Sequence, residues 1–193
     1  MRLALRAAAL FAVVLLNAPA VGAEPGYNDV PPAPLPDIVP TASDWQPQFP
    51  FPFDKLRNHI TDADITSQRE MCQWFPQYRQ LKIQIEDLNN LVIRNNGRFD
   101  APGVPEYANA VTANLDKSLA FLAPRVQALT RDRNHAGDIY FPLYQGESFY
   151  RLWEQLSNVS YGIKARQPTW FVGPSFQHAQ RFGSKINRSH VCG

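Results

Sequence analysis

Met71, Phe75, Tyr78, Leu81, Ile85, Leu88 and Val92 follow one another at alternating steps of three and four residues. Only the helical period gathers such a set on one face. Ser67-Gln-Arg-Glu70 matches a capping box and is expected to open this helix, while Asn95-Asn96-Gly97 is expected to stop it. Pro76 should kink or restart it. A second helix is expected from about Pro105, with Tyr107, Val111, Leu115, Leu119, Leu122, Val126 and Leu129 inward and a kink at Pro124. A third covers residues 147–165, with Phe149, Leu152, Leu156, Val159 and Ile163 on one stripe. A shorter fourth starts near Pro174 and carries Phe176, Ala179, Phe182 and Ile186. Stripes this wide must be covered, and alternating β-branched segments are missing, so the expected fold is all-α. Its economical form is a compact antiparallel bundle of about four helices, over residues 54–193.

Residues 24–52 hold nine of the 17 prolines. Proline has no amide donor and a fixed φ, so this stretch is neither helix nor central strand. Residues 24–40 read as a flexible polyproline-like leader. Residues 41–53 add Trp45, Phe49, Phe51 and Phe53. In extended chain the three phenylalanines share a face. This second half of the 24–53 segment is expected to lie as a strap on the helices.

Residues 1–23 read as an export signal. Arg2 and Arg6 precede an apolar run from Ala7 to Leu16, and Val21-Gly22-Ala23 supplies small residues for cleavage. That run falls well short of the roughly 20 residues that span a bilayer. Cleavage removes both excess positive charges and leaves 17 basic against 17 acidic residues. No Lys/Arg cluster offers the counterion release that drives phosphate-backbone binding, so nucleic acid is not expected as a partner. No second apolar stretch is long enough to cross a membrane, and the expected location is secreted, periplasmic or cell-envelope.

An oxidising compartment favours pairing of the two cysteines, Cys72 and Cys192. The alternatives are two free thiols or a metal site, the latter lacking a CxxC or a second ligand beside Cys72. The expected disulfide ties the C-terminal tail to the first helix.

The familiar catalytic signatures are missing. His59, His135, His178 and His190 form no HExxH pair, and there is no GxSxG elbow or glycine-rich phosphate loop. Asp62-Ala-Asp64-Ile-Thr66 resembles the opening of a calcium loop, but Ser67 and Gln73 occupy the positions that require Gly and Glu. Those acids fit a helix N-terminus better. Glu106, Asp138, Glu147 and Glu154 are candidates for a paired-carboxylate glycosidase site. No cofactor or metal is implied.

Aromatic residues are densest between Asp138 and Trp153: Tyr140, Phe141, Tyr144, Phe149, Tyr150 and Trp153. Trp170 and Phe171 follow in an expected loop over 167–174. Such side chains plug the end of a bundle or bind an apolar ligand, a glycan or a partner. Tyr144, Tyr150 and Trp170 lie off the helical stripe and are the candidate exposed, ligand-binding residues.

The alanine-rich signal, the leader Asp29-Val-Pro-Pro-Ala-Pro-Leu-Pro36 and two distant cysteines around a helical body together resemble small secreted proteins of high-GC actinobacteria, of the mycobacterial type. That resemblance implies export and attaches no activity or functional residue. The leading functional expectation is a non-enzymatic envelope or secreted module that binds an apolar small molecule or an envelope protein. The alternatives are a hydrolase of envelope glycan or lipid, and a virulence-type surface protein working through its proline-rich leader.

Overall fold

The structure, a computed structural model, describes residues 29–48, 60–132 and 139–193. The segment 1–23 read as an export signal, with Phe49, Phe51, Phe53, His59, His135 and Asp138, lies outside these residues, as do the side chains of Tyr140 and Trp170.

Helix α1 spans Asp62–Arg94 and begins earlier than Ser67, because Thr61 already supplies a complete capping box. The Thr61 backbone N–H donates to Asp64 Oδ2 at 2.8 Å, and Asp64 N–H donates back to Thr61 Oγ1 at 3.3 Å. Asp64 plays the part usually taken by Glu, and this chemistry occupies the carboxylate considered above for calcium. Pro76 lies inside α1 on its exposed side and does not end it. The helix stops at Asn95-Asn96-Gly97, where Gly97 takes φ of 79° and returns its N–H to Val92 O.

Helix α2 spans Val104–Ala128, with Pro105 in its first turn and Gly103 before it at φ of 83°. Two-residue strands β1 (Arg131–Asp132) and β2 (Ile139–Tyr140) pair antiparallel ahead of α3 (Gly146–Lys164). The expected loop over 167–174 contains one helical turn, α4 (Pro168–Phe171). Its Phe171 is fully buried, edge-on to Phe99 at 5.8 Å between ring centres. Helix α5 runs from Pro174 to Arg188.

The four long helices form an antiparallel, all-α bundle in which several neighbouring pairs are joined by polar ties. Arg125 of α2 reaches Glu70 of α1, with N–H to O of 2.7 Å. Ser160 and Lys164 of α3 both donate to Asp116 of α2. Gln180 of α5 donates to Glu86 of α1 at 2.9 Å, which closes the ring of helices. Inside lie Leu81, Ile85 and Leu88 from α1, Leu115 and Leu122 from α2, Leu152 and Leu156 from α3, and Ala179 and Ile186 from α5. Among the described residues no helix is long and apolar enough to cross a membrane. Cys72 and Cys192 are joined in a disulfide with Cα atoms 5.0 Å apart, which ties the tail to α1.

The leader departs from expectation. Residues 29–40 are laid across α1 and α2 instead of running free. Prolines cannot supply a ladder of amides, so side chains of the helices meet the few polar backbone groups available. Asn114 Oδ1 accepts from Leu35 N–H at 2.8 Å while its Nδ2 donates to Ala33 O at 3.0 Å. Gln77 donates to Pro36 O, and Gln73 exchanges two bonds with the backbone of Thr41. Leu35 is buried in the core. Farther along, Trp45 Nε1–H donates to Val191 O at 2.8 Å and Gln48 donates to His190 O.

Candidate functional site

The docked leader roofs a cleft between α1 and α2. Trp74 and Gln77 come from α1, Lys117, Ser118 and Phe121 from α2, and Pro36, Asp37 and Ile38 from the leader, around a space of about 290 Å³. Helical spacing explains the walls: Trp74 and Gln77 are one turn apart, as are Ser118 and Phe121. Phe121 is stiffened from behind by the Arg125 guanidinium, 3.6 Å from the ring centre, which is itself paired with Glu70. At the rim, Lys117 Nζ sits 2.7 Å from Asp37 Oδ1 and also donates to Leu35 O.

Two groups set this cleft apart. Trp74 is completely buried and Ser118 is 2% exposed, yet the indole Nε1–H and the Ser118 hydroxyl make no hydrogen bond among the described residues. An unpaired buried polar group costs about 1–3 kcal/mol. The hydroxyl has an ordinary way out, bonding back to the carbonyl four residues earlier. Thr112 takes that route to Ala108 O at 2.9 Å and Ser157 to Trp153 O at 2.9 Å. Ser118 does not. A second cleft of about 200 Å³, lined by Phe99, Pro105, Thr112, Ile163 and Arg166 among others, holds neither of these unpaired groups.

The residues singled out in the sequence lie elsewhere. Tyr144 and Tyr150 are half-buried against the core, where exposure was expected. The loop backbone explains Tyr144: its N–H donates to Gln48 O and its carbonyl accepts from Gln68 Nε2 at 2.7 Å. Tyr150 sits between Phe141 and Trp153, with ring centres 5.5 and 5.8 Å away. Trp170 belongs to α4.

The three described candidate acids lie on helix surfaces. Glu147 and Glu154 flank Arg151 on the surface of α3, at 3.8 and 3.0 Å, forming an intrahelical ion ladder. Glu106 is exposed in the first turn of α2. His178 is exposed on α5, and His190 lies in the turn after it at φ of 53°. Among the described residues no three His, Cys, Asp or Glu side chains are placed to hold a metal ion.

Sequence reasoning missed Trp74, Lys117 and Ser118. Trp74 falls one position off the α1 stripe, and a large aromatic there implies a second covered face. The proline-rich segment is what covers it. Comparisons with protein-family models, curated proteins and solved structures found no match to this chain.

Proposed function

We propose that this protein is an exported envelope or secreted module, not an enzyme, that holds a small apolar molecule in the cleft beneath its N-terminal strap. The observation that carries this reading is the strap cleft of about 290 Å³, lined by Ile38, Trp74 and Phe121 together with Gln77, Lys117 and Ser118. Ligand sites combine apolar walls with a few placed polar groups. The disulfide and the signal-like residues 1–23 support export.

Toluene titrated into the exported, oxidised protein tests the reading by nitrogen-proton correlation spectra. The Trp74 indole cross-peak, identified by the sequential assignment, should shift saturably with toluene. A silent Trp74 cross-peak would remove the strap cleft as the site. Tyr150→Ala serves as the contrasting variant: loss of toluene binding there, with Trp74 unmoved, would transfer the site to the aromatic segment around Tyr144, Tyr150 and Trp170.

A further inference from the structure

The charges of the chain are unevenly spread. Residues 24–154 carry 12 Lys and Arg against 17 Asp and Glu, whereas residues 155–193 carry five Lys and Arg and no acid. Three of those five, Arg181, Lys185 and Arg188, stand four and three residues apart on α5. The helix thus brings onto one side cations that form no run in the sequence. All three are exposed, and none is in an ion pair among the described residues. Elsewhere cations are matched: Arg98 meets Asp100, Arg151 meets Glu154 and Lys164 meets Asp116. The acid that α5 does touch, Glu86, is held by Gln180 and by Lys82 of its own helix.

The face that carries these cations is open and polar. Arg181 and Arg188 lie about 10 Å apart along the helix axis. With Gln177, Gln180, Ser184 and Asn187 they line a shallow depression of about 430 Å³. The apolar side of α5, with Phe176, Ala179 and Ile186, is buried in the bundle. None of the large apolar side chains exposed among the described residues lies on this helix. Independently of the strap cleft, we infer that the outer face of α5 is a docking surface for an anionic lipid bilayer, with Arg181, Lys185 and Arg188 at the headgroups and no insertion of the helix. A protein partner finds here none of the aromatic or aliphatic anchors that concentrate binding energy in protein interfaces. A nucleic acid finds no exposed ring to stack on and only three cations. A bilayer needs neither. Its anionic headgroups move to meet the cations, and the attraction grows with each Lys or Arg brought to the surface. The excess of acid in residues 24–154 is repelled by the same surface, which favours the orientation with α5 against it.

Flotation of the exported, oxidised protein with vesicles at millimolar lipid tests the assignment. Vesicles of phosphatidylcholine with about one-third phosphatidylglycerol should carry the protein at about 0.1 M salt and release it at about 1 M, where the screening length falls to about 3 Å. Pure phosphatidylcholine vesicles should leave it behind. Each cation contributes about fivefold, so Arg181→Gln and Lys185→Gln should each weaken binding to the mixed vesicles by that factor, and together by about 25-fold. Arg98→Gln removes the same charge from the loop after α1, where Asp100 already matches it, and should change binding by less than about twofold. Absence of flotation with the mixed vesicles, equal flotation with neutral ones, or binding indifferent to the two α5 variants would overturn the assignment. Tighter retention of an oligonucleotide duplex or an acidic peptide than of the mixed vesicles would overturn it too, and give the face to that partner. Both variants alter exposed side chains, and the salt dependence of the native chain is a readout that needs no variant.

Discussion

The ring of Tyr78 fills the space above Gly183. A Cβ at position 183 would sit 2.1 Å from Tyr78 Cε1 and 2.5 Å from Cζ. The ring cannot swing away cheaply, because its hydroxyl donates to Ala179 O at 2.9 Å and the side chain is buried. Here the Tyr78 ring of α1 lies directly against the backbone of α5.

Gly183→Ala therefore reverses the usual sign of a glycine-to-alanine change in a helix. Propensity alone favours alanine by about 1 kcal/mol. The clash with Tyr78 should outweigh it and leave a net loss of roughly 1–3 kcal/mol. Denaturant melts should show that loss in the native background and its disappearance in Tyr78→Leu, as coupled neighbours require. Stabilisation by Gly183→Ala alone would mean that the helices separate there easily.

The disulfide closes a separation of 120 residues. The chain-entropy argument assigns a loop of that size roughly 5 kcal/mol as an upper figure. The tail has other anchors, since Val191 is buried and its carbonyl accepts from Trp45. Cys72→Ser and Cys192→Ser should thus lower the melting temperature by the same amount and loosen α5 first, without unfolding the bundle at room temperature. Identical melting with and without reductant would show the bond to be idle.

Asn114 is the clasp of the leader, bonded to both Leu35 N and Ala33 O. Asn114→Ala should cost about 1–3 kcal/mol and act locally. The Leu35 amide should exchange with solvent much faster, while amides in the middle of α3 keep their protection. Uniform loss of protection across the bundle would make the leader part of the cooperative core.

Alkaline pH should destabilise the fold through buried phenols. Burial, with the nearby charges of Asp87 and Asp29, pushes Tyr107 up to about 12, and burial with Glu86 raises Tyr78 as well. A raised phenol pKa means the native state holds its proton after the unfolded chain has released it. Stability is complete below pH of about 10 and declines as pH rises toward 12. Tyr107→Phe should flatten that decline in urea melts taken between these values. An unchanged slope would place the pH dependence in other groups.

Long apolar periods and prolines at first turns made most of the bundle readable. Leu81, Ile85 and Leu88 had to share a face, and Pro105 and Pro174 mark helix starts because a first-turn residue needs no N–H bond. The start of α1 was hidden because Asp64, not a Glu, completes the box with Thr61. Helix α4 has four residues, too short for any period to register. The docking of residues 29–40 rests on isolated pairs such as Leu35 with Asn114, 79 positions apart, which no local pattern encodes. The candidate site suffered the same fate. Its walls come from three segments, and what marks it is two missing hydrogen bonds, a property of the packed chain alone.

The bonds from Trp45 to Val191 and from Gln48 to His190 bridge 146 and 142 positions. Synthesis runs from the N-terminus, so the strap is made early and its anchor points last. Until the final residues arrive, the Trp45 indole and the Gln48 side-chain amide lack the carbonyls they donate to, and the roof over Trp74 and Ser118 lacks its far fastening. Closure of the strap is thus a late event in the life of the chain, and a tail shortened before Val191 would leave a formed bundle whose strap is clasped at Asn114 but loses the Trp45 anchor.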